Sequence, residues 1–316
     1  MSSAGAGSSS HKLPRAPLDS RAPLVSIGLP VYNGARFLAQ AFDSLLGQSF
    51  RNVELIVSDN ASTDESAAIC QAYALRDSRV RYIRQAENIG APRNWNFVTE
   101  QARGKYFKWS TANDFCADVM LEKCVAAMER DPRIVLCHGK TCLVDEETDV
   151  REEYQQDIAI TDPRPSERFK MICRELALNN AQSGLIRLDV LRCTRLDRPY
   201  PGGDRALMAE LALYGHIVLL PEVLLYRRIG RDSFSSLLSK SELQAFFDPQ
   251  ARQRPGFNQV RLHLDYLRTV ASAPIKAPEK LRALLLVVRQ AFWDRNDIWS
   301  ELRGGLRRSS AQPGVR

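Results

Sequence analysis

Two stretches near the amino terminus place polar side chains directly after apolar runs. They are Val25-Ser-Ile-Gly-Leu-Pro-Val-Tyr-Asn33 and Val53-Glu-Leu-Ile-Val-Ser-Asp-Asn-Ala-Ser-Thr-Asp64. Each run has the length and composition of a buried parallel strand, and each breaks into a turn and then a helical pattern. In open α/β sheets, ligands bind where the carboxyl ends of strands meet such loops. Pro30, Tyr32, Asn33, Asp59 and Asn60 therefore outline a nucleotide pocket. Asp59 is the leading candidate, since a carboxylate at a strand end can accept hydrogen bonds from the imide of uracil or thymine, or from ribose. Asp64, in the same turn, reads as a helix cap.

Further along, Asn88-Ile-Gly90 leads to Arg93 at the start of a helical pattern. Amide donors and the helix dipole favour an anion there, and a guanidinium adds bidentate pairing to a phosphate. Thr111-Ala-Asn113-Asp114 follows another apolar run, and Gly202-Gly-Asp204 opens another helix. An Asp at such a position is among the commonest helix caps.

The order and distance of the PVYN and SDNASTD segments resemble the inverting nucleotide-sugar glycosyltransferases of family 2, which have the GT-A fold. The resemblance implies that Asp59 contacts the base, with Pro30 and Tyr32 lining its pocket, and that Arg93-Asn94 matches a family Arg-Asn pair. Family members carry an acidic cluster where this chain has Asn113-Asp114, and it binds Mg²⁺ or Mn²⁺ together with the donor diphosphate. Here Asp114 is the one carboxylate, and Asn113 stands where an Asp is common. The catalytic base falls on Asp204, its Gly-Gly lead letting backbone approach a substrate, with Glu210 in reserve. Tyr226-Arg-Arg-Ile-Gly-Arg231-Asp-Ser233 matches a family loop that closes over the diphosphate, without the loop's His. Arg228 and Arg231 could compensate electrostatically.

The implied activity is transfer of a hexose or deoxyhexose from a UDP- or dTDP-sugar to a hydroxyl. The acceptor would be a glycan, a lipid-linked compound or a small molecule in glycan, glycolipid or glycoconjugate biosynthesis. Two rival readings are a non-catalytic sugar-nucleotide-binding protein and a nucleotidyltransferase. The latter class generally needs a glycine-rich phosphate loop directly after the first strand, which Pro30-Val-Tyr-Asn-Gly34 does not supply.

The elements that must position these residues form a β-α-β-α-β-α-β series through Ser110, with Ser62 or Thr63 capping the second helix. A helix near 118–130, a β-rich piece at 134–144 and a helix at 166–179 follow. The Ile217–Arg228 strand is interrupted at Pro221. The expected architecture is an α/β GT-A domain with a Rossmann-like, mainly parallel sheet flanked by helices. It spans residues 24–236, a nucleotide-binding half (24–115) and an acceptor half (116–236). Residues 1–23 read as a disordered lead-in, and 237–316 as a helical, basic extension.

Composition fits a globular protein, with 44% hydrophobic and 26% charged residues. No apolar run approaches the roughly 18 residues of a membrane span. The seven cysteines include no CxxC pair, which disfavours zinc and disulfides and suggests a reducing cytoplasm. No nucleic-acid partner is expected. Residues 251–316 hold 13 Lys/Arg against 5 Asp/Glu, a net +8 that exceeds the +7 of the whole chain. Within them Leu281, Leu285, Val288, Phe292, Trp299 and Leu302 form a helical stripe flanked by arginines. The stripe reads first as a face packed on the catalytic domain, and second as a peripheral contact with the inner membrane face.

Overall fold

The apolar runs at 25–31 and 53–59 become neighbouring strands of a mixed nine-stranded sheet. The computed structural model describes residues 22–230, 243, 246–249 and 257–309, the last six of them as backbone. Nearly all of the expected lead-in, and Arg231, lie outside the described residues.

The first half runs β1 (Val25–Val31), α1 (Ala35–Leu46), β2 (Val53–Asp59), α2 (Ser66–Arg76), β3 (Val80–Arg84), α3 (Ala91–Glu100) and β4 (Tyr106–Trp109). All pairings among these four strands are parallel. Their register brings Val31, Asp59 and Arg84 level at the carboxyl edge.

The second half begins with β5 (Phe115–Cys116), α4 (Met120–Arg130), β6 (Ile134–Asp145), β7 (Arg151–Glu153) and α5 (Pro165–Glu175). A 3-10 turn (Asn180–Ser183), β8 (Leu185–Arg187), α6 (Leu188–Cys193), α7 (Gly203–Tyr214) and β9 (His216–Ile229) follow. The sheet order is β3-β2-β1-β4-β8-β6-β9-β5, with β7 beside β6. β8 is antiparallel to both neighbours, so the sheet changes direction there, while β6 and β9 run parallel.

Both faces of the sheet are covered, which is why the strands read as nearly continuous apolar runs. Leu55 and Val57 of β2 join a core with Leu38, Phe42 and Leu45 of α1. Ile56 faces the other way, into a core with Val98, Phe169 and residues of α7.

Three expectations are corrected. β9 is not interrupted at Pro221. Its register against β6 skips from Leu220 to Val223, so Pro221 and Glu222 form a bulge that needs no amide donor. Neither Ser62 nor Thr63 caps α2, whose cap position is Glu65.

The third correction concerns the carboxyl-terminal helices α8 (Asn258–Ser272), α9 (Ala277–Trp293) and α10 (Arg295–Ser309). The apolar stripe does not pack on the catalytic domain. Leu281, Leu285, Val288 and Phe292 are 60–62% exposed, and α9 instead buries Ala283 and Val287. The small Ala283 side admits closer approach to α5 and α8. No described helix is long and apolar enough to cross a membrane.

These helices share the core of α5 and α7, through Tyr266, Val270, Ala283 and Val287. A buried ionic cluster reinforces the joint. Asp265 of α8 accepts from Arg195 Nη1 and the Tyr200 hydroxyl, both at 2.5 Å, and lies 3.2 Å from Arg198 Nε. Arg198 also donates to Glu210 at 2.8 Å.

Removing one member of a buried pair strands the opposite charge. Asp265→Ala should therefore lower unfolding free energy by about 3–5 kcal/mol, measured by urea denaturation. A loss within experimental error would show that α8 docks by apolar contact alone.

Candidate active site

Two loops at the carboxyl edge are joined by hydrogen bonds from backbone to side chain. Asn33 N–H donates to Ser62 Oγ at 3.0 Å, Gly34 N–H to Ser66 Oγ at 2.9 Å and Ala35 N–H to Asp64 Oδ2 at 3.0 Å. These amides lead into α1, from Asn33 before the Gly34 cap to Ala35 at its first position, and have no partner within the helix. In return, Thr63 N–H donates to Asn33 Oδ1 at 2.8 Å. Burial pushes the Asp64 carboxyl up, but hydrogen bonds from Ser66 and Ala35 outweigh it and leave it lowered. Asn33 and Asp64 thus order the loops, and Asp64 serves two helix starts at once. Pro30 is half-buried at the end of β1, and Tyr32 beside it is 51% exposed.

Asp59 is fully buried. Its Oδ1 accepts from Ser62 N–H at 2.8 Å, and its Oδ2 accepts from the Tyr82 hydroxyl at 3.0 Å and Arg84 Nη1 at 2.6 Å. Asn60 braces the third loop, donating to Asn88 Oδ1 at 2.8 Å and accepting from Ile89 N–H at 2.9 Å. Arg93 sits in the first turn of α3, with its side chain half exposed and 3.9 Å from Asp248. Asn94 is buried against Ser58 and holds α3 to β2.

Asp114 lies at the end of the loop after β4, nearly buried. Its Oδ1 accepts from Arg228 N–H at 2.9 Å. Burial raises its carboxyl above the ordinary value, against the pull of Thr111, the Arg228 amide, Arg227 and Lys108. The Arg228 guanidinium donates to Asn113 O at 2.5 Å and to Gln40 Oε1. It also lies over the rings of Phe37 and Phe115, at 4.2 and 5.0 Å from their centroids. Arg228 therefore fastens the Asn113–Asp114 loop to α1 and is not presented to the open edge. Among the described residues no three His, Cys, Asp or Glu side chains gather in a group that could hold a metal. A lone carboxyl raised by burial does fit a hard cation whose other ligands are phosphate oxygens and water.

Asp204 occupies the first turn of α7 and makes no capping bond. Gly202 has φ +96°, in the left-handed region. A Cβ on Gly203 would meet the Arg198 carbonyl at 2.3 Å. Both glycines thus serve the turn into α7. Asp204 Oδ2 accepts from Asn179 Nδ2 at 3.1 Å, and among the described residues no cation pairs with it. Two buried polar atoms beside it have no partner, Asn179 Oδ1 and Gln182 Nε2. Glu210, two turns further on, is held by Arg198 and the Arg195 amide. It is a core ion pair and not a reserve base.

A link joins the two halves. Arg227 donates to Asn180 Oδ1 at 2.7 Å, and buried Lys108 donates to Ser183 O at 2.5 Å. The 179–183 turn is thereby held between Asp204 and the strands that carry Asp114.

Four participants escaped the sequence reading. Arg84 pairs with Asp59 in the register of β3 against β2, a signal available once both strand ends are aligned. Asn179 and Gln182 sit in a turn with no recognisable pattern. Asp197 lies seven residues before Asp204, with its backbone bracketed by Asn96 at 2.8 and 3.0 Å. Burial pushes its carboxyl up to about 7, and the Asp204 charge adds to the shift.

The family model described as "Glycosyl transferase family 2" matches residues 26–192, more than half of the chain. The glycosyltransferase GlyG of Streptococcus pneumoniae is 32% identical over 114 residues, covering 36% of this chain and 38% of GlyG. The chain thus spans well under half the length of that relative. Among solved structures, Staphylococcus aureus TarS 1–349 superposes with a TM-score of 0.59 at 15% identity, over 85% of this chain and 71% of that one. TarS 1–349 has also been crystallised with UDP and with UDP-GlcNAc. The mannosyltransferase PcManGT of Pyrobaculum calidifontis, in complex with GDP-Man and Mn²⁺, superposes at 0.53 with 14% identity, over 93% and 77%. The fold is the expected GT-A fold, and with the matched segment running from β1 through α6, the chain is a member of glycosyl transferase family 2.

Proposed function

We propose that the chain transfers a sugar with inversion from a nucleotide-diphosphate sugar to a hydroxyl acceptor, with Asp204 as general base. The observation that carries this reading is the setting of Asp204. Among the described residues it is a half-buried carboxylate without a cationic partner, beside an acceptor atom of Asn179 and a donor atom of Gln182 that both lack partners there. A hydroxyl-bearing ligand satisfies such a set. The base takes the proton as the acceptor oxygen attacks the anomeric carbon, and the nucleoside diphosphate leaves with the bond pair.

The donor lies across the carboxyl edge, with its base near Pro30, Tyr32 and Asp59 and its diphosphate toward Arg93 and Asn113–Asp114. Asp59 acts there with Arg84 and Tyr82, which share its carboxylate. UDP bound to TarS supports a uridine donor, and Mn²⁺ bound to PcManGT supports a cation. Mg²⁺ or Mn²⁺ held by Asp114 and the diphosphate would neutralise departing charge.

Asp204→Asn should keep the fold and donor affinity but reduce transfer about 10²–10⁴-fold, read as nucleoside diphosphate release in the presence of acceptor. Turnover near wild type would remove the base assignment. For Asp114→Asn, the expected outcome is loss of Mn²⁺ stimulation and weaker Mn²⁺ retention in the presence of UDP, followed by titration calorimetry. Unchanged retention would exclude Asp114 as the protein's ligand.

Asp197 gives a pH signature. Below about pH 3 it is protonated in both folded and unfolded chains. As pH rises toward about 7 the unfolded chain loses this proton first, so the group destabilises the fold progressively. Asp197→Asn removes that penalty. It should raise Tm at about pH 8 and leave it nearly unchanged at about pH 3, by scanning calorimetry. Equal shifts at both values would refute the raised titration.

A further inference from the structure

We propose that the outward face of α9 docks on an anionic lipid surface. The face consists of Leu281, Leu285, Val288 and Phe292, spaced four, three and four residues apart, and each is 60–62% exposed. Trp293 adds 49% exposed indole surface at its carboxyl end, and Trp299 of α10 is 57% exposed. α9 is therefore apolar on two sides. One side buries Ala283 and Val287 in the core, and among the described residues the larger side chains cover nothing. A helix needs only one apolar side to pack on its own domain. A second, bearing larger and more aromatic residues, points to a partner.

Charge selects that partner. Arg282 and Arg289 lie on one flank of the stripe, and Arg295 follows beyond its end. Arg289 sits over the Trp293 ring at 5.0 Å and Arg295 over the Phe292 ring at 4.5 Å. Arg174 of α5 approaches the same Trp293 at 5.6 Å. Arg289, Arg295 and Arg174 rest on aromatic faces, Arg295 also donating to Phe292 O, while Arg282 pairs with Glu279 in the first turn of α9. Pairing this face with a second copy would bring arginines together, whereas lipid phosphates complement them. Arginines beside Leu, Phe and Trp are the composition of helices that lie in a membrane interface. The net +8 of residues 251–316 adds longer-range attraction to an anionic bilayer.

The test is vesicle co-sedimentation of the full chain, using phosphatidylcholine with and without phosphatidylglycerol at low and high salt. The expected result is binding only to the anionic vesicles, weakened by salt. Leu285→Ser with Phe292→Ser should lower partitioning by about tenfold or more, because each side chain leaves apolar surroundings. Arg282→Glu with Arg289→Glu should lower it by at least about fivefold per charge at low salt. Both positions in the serine pair are exposed, so Tm should hold, and donor hydrolysis without lipid should match wild type. If the serine pair fails to fold, the charge pair still decides the question. Failure of wild type to bind anionic vesicles overturns the proposal, as does wild-type binding by either variant. A salt-insensitive dimer that the serine pair dissociates overturns it in favour of a second copy.

Discussion

The candidate donor site depends on how the amides leading into α1 are satisfied. These donors cannot bond within their own helix. The chain completes them from the neighbouring loop, with Ser62, Asp64 and Ser66 taking the Asn33, Ala35 and Gly34 amides. Two loops joined in this way cannot move independently. Asn60 then extends the same bracing to the loop at Asn88–Gly90. The arrangement holds Asn33 and Ala61 at φ values of 49° and 59°, a region that costs a non-glycine residue about 1–3 kcal/mol. Backbone in that state persists because its surroundings over-determine it, and here those surroundings are the hydrogen bonds between the loops.

The same logic accounts for the basic residues around Asp114. Arg228 and Lys108 carry charges that could face a diphosphate, yet both are buried and bonded to protein carbonyls. Their work is positional. Arg228 fastens the Asn113–Asp114 loop to α1, and Lys108 ties β4 to the 179–183 turn beside Asp204. Asp114 is left as a carboxyl whose charged form burial disfavours and an added cation would favour. One acid therefore suffices for a cation only when the ligand brings the remaining oxygens.

Much of this was legible in the sequence because it rests on local patterns. Apolar runs followed by PVYN and SDNASTD mark parallel strands and their loops, and all four strands of the first half lie where those patterns put them. What sequence could not show is which partner each polar residue meets. Asn33, expected as a ligand contact, also braces Thr63, while Arg228, expected as a phosphate contact, is stacked between Phe37 and Phe115. Such partners lie about 30 to more than 100 residues away in sequence, and only the folded register brings them together. The stripe on α9 fails for another reason. Helical periodicity identifies an apolar face but not its occupant, and α9 has two such faces.

Helix α7 shows how environment, not residue type, assigns roles. Asp204 and Glu210 lie on one helix, and either carboxylate could accept a proton in isolation. Six residues of helix rotate them to different sides. Glu210 meets Arg198, and through it Asp265 of α8, so its charge is spent on holding the carboxyl-terminal helices to the domain. Among the described residues Asp204 meets the amide of Asn179, at the end of the helix where the dipole favours a negative charge. A carboxylate that is accessible and, among the described residues, without a counter-ion suits the proposed role of taking a proton from an incoming hydroxyl. The paired one is not, because accepting the proton would leave Arg198 uncompensated in the core.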